Sequence, residues 1–188
     1  MRATNSWISP RAASREGALK GKSGQARRDG QVKRSAGLLL YRIRPAGFEF
    51  FLVHPGGPFW AKKDEAAWSI PKGLYEAGEL PLEAAKREFA EEAGLAVEGN
   101  FIPLGDFKQP GGKIVSAWLV QSDCDPGAVK SNHFPMEWPP RSGKMAEFPE
   151  VDRAAWFSRE EAVAKIHRGQ KPIIERALQR LEIGIFHK

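Results

Sequence analysis

The hydrophobic pattern first predicts a pair of strands. Residues 36–43 (AGLLLYRI) and 48–53 (FEFFLV) are short apolar and aromatic runs, and residues 44–47 (RPAG) between them have the composition of a turn. Residues 54–67 are rich in Pro and Gly and show no period, before residues 68–70 (WSI) return to an extended pattern. We therefore expect two paired strands followed by a loop.

A helical period follows over residues 80–93. Apolar residues recur there at spacings of three, four and four, as on one face of a helix. These residues are Leu82, Ala85, Phe89 and Ala93. Pro81 suits the first helical turn and Gly94 suits the position after the last turn. The pattern predicts an amphipathic helix that ends at Ala93.

Beyond this helix, strand patterns alternate with irregular sequence. Residues 101–107 and 113–120 flank a KQPGG turn and predict a hairpin. Residues 121–149 contain five prolines and little pattern, apart from a short strand expected at residues 136–138. Residues 153–157 predict the last strand.

Two helices are expected at the C-terminal end. Ser158 and Glu161 form a capping box that opens a helix running to about Arg168, and residues 172–181 form a second amphipathic helix. Strands and helices that mix without strict alternation predict an α/β fold in which a mixed sheet packs between helices, and not a doubly wound nucleotide-binding fold.

Composition limits the class of protein. The 188 residues are 41% hydrophobic, and no apolar run approaches the roughly 20 residues that a membrane-spanning helix needs. Cys124 is the single cysteine, which excludes an internal disulfide framework and a cysteine-rich zinc site. We expect a soluble, cytoplasmic protein without membrane contact, and no pattern in the sequence predicts its oligomeric state.

The net charge of +6 is unevenly distributed. Residues 1–34 carry nine basic and two acidic residues, whereas residues 35–188 carry 20 basic and 21 acidic residues. The first segment has no apolar period, so it cannot bury enough surface to offset its ordering entropy. We expect a disordered basic tail over residues 1–34 and one domain over residues 35–188. The tail is compatible with a solvated extension, an arm that contacts RNA, or an organelle transit peptide.

Three carboxylates share one face of the first predicted helix. At about 100° per residue, Glu88, Glu91 and Glu92 fall within an arc of roughly 100° beside the apolar face. Like charges crowded beside an apolar stripe persist only when a cation or water compensates them. Oxygen ligands of this kind suit Mg²⁺ or Mn²⁺. A solvated acidic helix face is the alternative explanation.

The spacing of the surrounding residues decides between these explanations. Gly73 is followed after five residues by Glu79, and after seven more by residues 87–95 (REFAEEAGL). This segment resembles the Nudix box, Gx5Ex7REUxEExGU, in which U is a bulky aliphatic or aromatic residue, and every specified position matches. A chance match at a given start has a probability on the order of 10⁻⁹.

The Nudix resemblance implies an α/β/α sandwich that hydrolyses a diphosphate linked to another moiety, with a divalent metal on the box helix. Carried over by position, the metal carboxylates would be Glu88, Glu91 and Glu92, and the carbonyl of Gly73 would be a further ligand. Arg87 would orient the carboxylates, and Glu79 would support them. Catalysis would thus involve Glu88, Arg87 and Glu92.

Two further segments resemble subgroups of the family. Residues 68–73 (WSIPKG) are similar to the WxxPKG lead-in of dinucleoside polyphosphate hydrolases and of relatives acting on 5′-triphosphorylated RNA. Residues 149–152 (PEVD) are similar to the PE-x-D stretch of RNA pyrophosphohydrolases, which makes Glu150 a further catalytic and metal-binding residue. Glu147 is the other candidate for this additional acid. Residues 132–144 (NHFPMEWPPRSGK) match neither subgroup.

The resemblance as a whole is to predicted NTP pyrophosphohydrolases and dinucleoside polyphosphate hydrolases. It implies metal-dependent cleavage of a phosphoanhydride bond in a small nucleotide, a dinucleoside polyphosphate or a nucleoside triphosphate. An RNA 5′-pyrophosphohydrolase is one alternative, and a non-catalytic Nudix-fold binding module is another. The sequence contains no P-loop and no nucleophile elbow that would support a different mechanism.

Residues expected to face the substrate lie in loops. Lys72 would bind phosphate, Phe59, Trp60 or Trp138 would stack on a base, and Arg141 and Lys144 would bind distal phosphates. The alternative for each is packing on its own domain. The histidines have no metal-ligand spacing and are expected to be ordinary loop or surface residues. They are His54, His133, His167 and His187.

Overall fold

The apolar runs around residue 40 form the centre of a sheet. The computed structural model describes residues 32–186, with side chains to residue 183, so residues 1–31 of the predicted tail lie outside the described residues. In chain order the elements are β1 (Arg34–Arg44), β2 (Gly47–Pro55), β3 (Lys72–Leu74), α1 (Pro81–Ala93), β4 (Ile102–Lys108), β5 (Ile114–Gln121), β6 (His133–Glu137), β7 (Met145–Pro149), β8 (Val151–Ser158), α2 (Arg159–Lys165) and α3 (Lys171–Phe186). β1 thus begins at the last residue of the predicted tail.

The main sheet is mixed, as the sequence predicts. Its strands lie in the order β4–β5–β1–β2–β8, and β3 pairs with the first part of β1. β1 and β5 run parallel, with Arg34 opposite Ile114 and Tyr41 opposite Gln121. The other pairs in this sheet are antiparallel. β1 therefore has β5 on one side and both β3 and β2 on the other.

Alternate residues of the central strands face two separate apolar layers. On one face, Leu38 and Phe51 pack with Phe89 of α1. On the other face, Leu39 packs in a cluster with Ile173 of α3. Each of these side chains is fully buried, which contributes about 1.5–3 kcal/mol per residue. The sheet lies between α1 and the α2–α3 pair, so the predicted α/β/α sandwich is confirmed.

α1 occupies the range that its apolar spacing predicts. Pro81 is its first residue, and the chain leaves the helix at Gly94, which has a φ of 68°. The N–H of Gly94 donates to the carbonyl of Ala90 at 2.9 Å, a left-handed cap that favours glycine. With Phe89 anchored in the core, the carboxylate face of α1 is directed to the region around β3.

The Pro-rich segment after β5 is more regular than its sequence predicts. β6 and β7 form a two-stranded hairpin outside the main sheet, from His133 opposite Pro149 to Glu137 opposite Met145. The strand expected at residues 136–138 therefore begins earlier, and β7 is an addition to the prediction. Prolines within and beside these strands conceal the alternation that would have indicated a hairpin.

The C-terminal helices differ from the prediction in length only. α2 ends at Lys165, and a 3₁₀ turn at Arg168–Gln170 separates it from α3. α3 continues five residues beyond the predicted end and has 16 residues. Within residues 32–186, no helix has the length and apolar character needed to cross a membrane.

Candidate functional site

The three carboxylates of α1 differ in burial although they share one face. Glu92 is 2% exposed, and its Oε2 accepts a hydrogen bond of 2.9 Å from the backbone N–H of Lys72 in β3. The Glu88 side chain is 13% exposed and that of Glu91 is 41% exposed. The carboxylate face of α1 thus extends from the contact with β3 out to solvent. It is therefore not the fully solvated acidic face of the alternative explanation.

Arg87 links the carboxylates. Its Nε donates to Oε1 of Glu79 at 2.9 Å, and its Nη1 donates to Oε1 of Glu88 at 2.8 Å. Nη1 also lies 3.4 Å from both carboxylate oxygens of Glu91, and Nη2 donates to the carbonyl of Leu74 at 3.3 Å. The hydrogen bond to Glu79 is the largest of the effects that raise the pKa of Arg87, so the guanidinium stays charged.

Gly73 allows β3 to lie directly against α1. A Cβ at this position would overlap the carboxylate of Glu88, so any other residue would displace that side chain. Gly37 allows β1 and β3 to approach in the same way, because a Cβ at this position would lie 2.6 Å from the Cβ of Lys72. These two glycines bring β1, β3 and α1 close together at the site.

Glu150 joins the α1 carboxylates from the other end of the chain. Burial raises the pKa of Glu88, Arg87 opposes this, and the charges of Glu91 and Glu150 raise it further. Burial is also the main cause of the raised pKa of Glu150, and Glu91 is the second. The charge of Glu150 therefore acts on Glu88, and that of Glu91 acts on Glu150. Glu147 instead lies exposed in β7, opposite Pro135.

A second polar group lies on the opposite face of the sheet. Alternate residues of paired strands share a face, so the registers place Ser35, Lys72 and Lys113 on the face of Val115. Side chains on this face enclose the position of Gly37, which has no side chain of its own. The sequence does not predict the presence of Ser35 or Lys113 at the site.

These residues are buried at an energetic cost. Burial, followed by the charge of Lys113, lowers the pKa of Lys72 to about 7. Burial likewise lowers the pKa of Lys113. The charges of Glu88 and Glu92 raise the pKa of both lysines and so oppose the effect of burial. The Ser35 hydroxyl is fully buried and makes no hydrogen bond within the described part of the chain. The two lysines and the hydroxyl thus lie on the face of the sheet away from α1, and the charges of the α1 carboxylates still reach both lysines.

Two of the predicted substrate-binding residues lie elsewhere. Trp60, in the β2–β3 loop, packs against the apolar cluster on the α3 side, with Lys63 Nζ 4.5 Å above its ring. Arg141 is exposed in the turn between β6 and β7 and has a φ of 65°. In residues 32–183, no hydrogen bond or ion pair joins either of them to the carboxylates. Phe59 and Trp138 contact each other edge to face, with ring centroids 5.4 Å apart.

The histidines only partly meet their prediction. His133 is exposed in β6, as expected, and His187 lies outside the described residues. His54 is instead fully buried, so the prediction of a loop or surface residue is wrong for it. His167 is partly buried; burial, with a contribution from Lys72, lowers its pKa.

The oxygen atoms of the acidic side chains suit a hard divalent cation, but their arrangement in the described part of the chain does not bring them together as ligands of one ion. Within residues 32–183, no three or more acidic, imidazole or thiol side chains converge as ligands of one ion. Arg87 and the Lys72 N–H instead occupy oxygens of Glu88 and Glu92. The ligand types are all oxygen, and the raised pKa of Glu88 shows that its charge is undercompensated. A cation therefore fits the residues present in the chemistry of their ligands.

Comparison with known families decides the classification of the chain. The family model of the NUDIX domain matches residues 33–177, which include every element from β1 to α2. The chain belongs to the Nudix family. The match also contains the carboxylates of α1, Gly73 and Glu150.

Solved Nudix structures share the fold. A Caenorhabditis elegans Ap4A hydrolase in a binary complex superposes with a TM-score of 0.56 at 22% identity, over 80% of this chain and 98% of that one. The Nudix domain of Shewanella oneidensis NrtR, complexed with ADP ribose, gives a TM-score of 0.55 at 14% identity, over 80% of this chain and 88% of that one. At such identities these similarities establish the Nudix fold and not a substrate.

A curated relative matches a shorter segment. An RNA pyrophosphohydrolase of Halorhodospira halophila is 51% identical over 41 residues, which make up 21% of this chain and 23% of that protein. The chain thus aligns with less than a quarter of that relative.

Proposed function

We propose that this Nudix protein is a Mg²⁺-dependent hydrolase that cleaves a phosphoanhydride bond in a dinucleoside polyphosphate or a nucleoside triphosphate. The observation that carries this proposal is the buried Glu88 carboxylate beside Gly73, with Glu91 and Glu150 close enough to raise its pKa. Crowded acids with undercompensated charge suit a site that binds a cation. A binding module without catalysis has no evident need for them.

The acids around α1 would hold Mg²⁺ or Mn²⁺ through oxygen ligands. The proposed ligands are Glu88, Glu91, Glu92, Glu150 and the carbonyl of Gly73. When bound, the cation would neutralise phosphate charge and lower the pKa of a bound water.

The remaining roles belong to the chain itself. Arg87 keeps Glu88 and Glu79 in place through its hydrogen bonds. Burial raises the pKa of Glu150, which suits it to accept a proton from the attacking water. Lys72 and Lys113, whose charges interact with Glu88 and Glu92, would add positive potential at the phosphates of the substrate, which stabilises the transition state.

The comparisons support a nucleotide substrate without identifying it. The structural relatives include an Ap4A hydrolase and a Nudix domain bound to ADP ribose. An RNA 5′-pyrophosphohydrolase is the second candidate. It is favoured by the charge interaction of Glu150, in the PE-x-D segment, with the helix acid Glu91, and by the local similarity to an RNA pyrophosphohydrolase. The predicted basic tail, as an arm that contacts RNA, also favours this candidate.

A side-by-side assay tests both candidates. Diadenosine tetraphosphate, the nucleoside triphosphates and 5′-triphosphorylated RNA are each incubated with the full chain and Mg²⁺, and products are identified by mass spectrometry. The Glu88→Gln variant is the control for contaminating hydrolases. We expect Mg²⁺-dependent cleavage of a small nucleotide that is absent from the control. Preferential cleavage of RNA would select the second candidate, and no cleavage with either Mg²⁺ or Mn²⁺ would refute a hydrolase.

A further inference from the structure

His54 is a buried histidine, and each of its two ring nitrogens lies within hydrogen-bond distance of an oxygen atom. At the end of β2, its Nδ1 lies 2.6 Å from Oδ1 of Asp152, and its Nε2 lies 2.8 Å from the carbonyl oxygen of Lys63. A carbonyl can only accept, so Nε2 donates to Lys63, and Nδ1 makes the contact with the Asp152 carboxylate. The ring packs against Trp68, with centroids 5.2 Å apart. His54 thus joins the β2–β3 loop to the start of β8.

Asp152 reaches His54 because β8 contains an extra residue at this point. His54 is opposite Arg153, whereas the next residue, Pro55, is opposite Val151. Asp152 is left between them as the extra residue of a β-bulge. Bulges of this kind redirect side chains relative to the regular strand.

The bulge also sets the face on which Val151, the residue after Glu150, lies. Ala154 faces the α1 layer, so regular alternation along β8 would turn Asp152 to the same layer. Asp152 instead contacts His54, which lies on the Trp68 side of the sheet. The residues before the bulge are therefore one position out of phase with a regular strand. Because a slip of one residue moves a side chain to the opposite face, Val151 packs in the α1 layer, and Glu150 directly precedes it.

The backbone of Glu150 is held by the same loop that His54 anchors. Gly56 donates its N–H to the carbonyl of Glu150 at 2.9 Å, and Glu150 donates its own N–H to the carbonyl of Asn132 at 2.8 Å. The β2–β3 loop is thus tied at Gly56 to Glu150 and at Lys63 to His54. The loop has further attachments, such as the hydrogen bond of 3.1 Å from the N–H of Ala66 to the carbonyl of Ala164, and the one at Gly56 is made to the Glu150 backbone.

We propose that His54 and Asp152 are positioning residues that hold Glu150 beside the carboxylates of α1. They act through Glu150 and contact neither substrate nor cation. The effect on turnover rests on the hydrolase function proposed above, whereas the effect on the structure does not. The two effects are measured separately.

Hydrogen exchange tests the structural effect. Asp152→Asn keeps the size of a side chain that is 28% exposed but weakens the contact with His54. We expect amide exchange to rise by about tenfold or more at Gly56 and Glu150, with no change in α1, as expected for a local opening. The control is Asp123→Asn, which removes an acid paired with Arg42 and Arg44 and should leave both amides protected. Unchanged exchange at Gly56 and Glu150, or an equal rise throughout α1, would overturn the proposal.

A double-mutant cycle tests the effect on turnover. Outer partners of catalytic groups typically contribute 10–100-fold, so Asp152→Asn should lower kcat by about tenfold or more with little change in KM. In the Glu150→Gln background, the same substitution should cost less than about twofold, because its effect passes through Glu150. An equal loss of kcat in both backgrounds would overturn the positioning role. A wild-type chain that hydrolyses nothing would refute the proposed function, and hydrogen exchange would still test the positions of the two residues.

Discussion

At the residue scale, Glu92 combines deep burial with a proposed metal role. It accepts the backbone N–H of Lys72, and a glutamine in its place can still accept that hydrogen bond. Glu92→Gln should therefore fold normally and lower kcat by about 10²-fold or more, because the site loses one negative charge. Steady-state kinetics at saturating Mg²⁺ and a thermal melt measure the two properties.

The control for this substitution is Glu83→Gln on the same helix. The Glu83 side chain is 58% exposed and pairs with Lys86, so its loss should leave kcat within about twofold. Full activity in Glu92→Gln would remove Glu92 from the proposed ligands.

Glu150 and Glu147 provide a second comparison between single residues. Glu150 is close enough to Glu91 for that charge to raise its pKa, whereas Glu147 lies exposed in β7. Glu150→Gln should lower kcat by about 10²-fold with little loss of stability, and Glu147→Gln should change kcat by less than about twofold. Initial rates for both variants at saturating Mg²⁺ decide the order. A larger loss in Glu147→Gln would transfer the role to that residue.

Single residues of the site were predictable to the extent that they lie in local patterns. The Nudix box identifies Glu88 and Arg87 from spacing alone, and the structure brings them together by a 2.8 Å hydrogen bond. Lys113 and Ser35 depend on the parallel register of β1 and β5, which no local pattern encodes. The prediction for His54 is wrong because a single polar residue before Pro55 resembles the start of a loop, whereas its contact with Asp152 depends on a strand that is remote in sequence.

At the scale of elements, the buried carboxylate Glu88 of α1 lowers the stability of the folded chain by an amount that depends on pH. Without metal, burial and neighbouring acids raise the pKa of Glu88 above its ordinary value of 4.5, despite the pairing with Arg87. Below pH 4.5 the carboxyl is protonated in both the folded and the unfolded chain, so it imposes no cost. As the pH rises through the raised pKa, stability is lost, and the loss persists at higher pH.

Glu88→Gln should therefore raise stability in metal-free buffer at neutral pH. In EDTA we expect its Tm to exceed that of the wild type at pH 7.5 and the difference to shrink as the pH is lowered towards 4.5. Thermal unfolding followed by circular dichroism measures both. A lower Tm than the wild type at pH 7.5 would mean that the Arg87 pair outweighs the burial of the charge.

Helices and strands are predictable from the sequence where a single spacing of apolar residues dominates the segment. The end of α1 is predicted to the residue, because the three-four-four spacing ends at Ala93 and is followed by Gly94, whose left-handed φ suits glycine. The β6–β7 hairpin was not, because Pro135 and Pro149 interrupt its alternation and its turn residues are spread over residues 138–144. Because this hairpin lies outside the main sheet, packing against the core imposes little alternation of apolar and polar residues on its sequence.

At the scale of the whole molecule, the basic N-terminal segment should be separable from the domain. Residues 1–31 contain seven of the basic residues and none of the Nudix box. The cut should stop there, since the carbonyl of Lys33 accepts the N–H of Ile114 at 3.0 Å and Arg34 begins β1. Deleting residues 1–31 should leave kcat for small nucleotides within about twofold.

Any affinity for RNA should fall in the truncated chain, and its dependence on salt should flatten, because fewer phosphate contacts release fewer counterions. Filter binding at several salt concentrations measures this. A full-length variant with its seven basic residues in this segment replaced by Gln is the matched control, and it should behave like the truncation. A collapse of nucleotide turnover in either protein would show that the segment contributes to the active domain.

The parallel pairing of β1 with β5 also has a consequence for how the protein is made. At 5–20 residues per second, roughly 4–16 s separate the synthesis of Arg34 from that of its partner Ile114, and β8 follows later still. During that interval, Leu38 and Leu40 in the strand at the centre of the finished sheet have β2 beside them but not β5, and α1 becomes available to cover them only after residue 93. The nascent chain should therefore be most vulnerable to aggregation, and most in need of a chaperone, while its middle third is being translated.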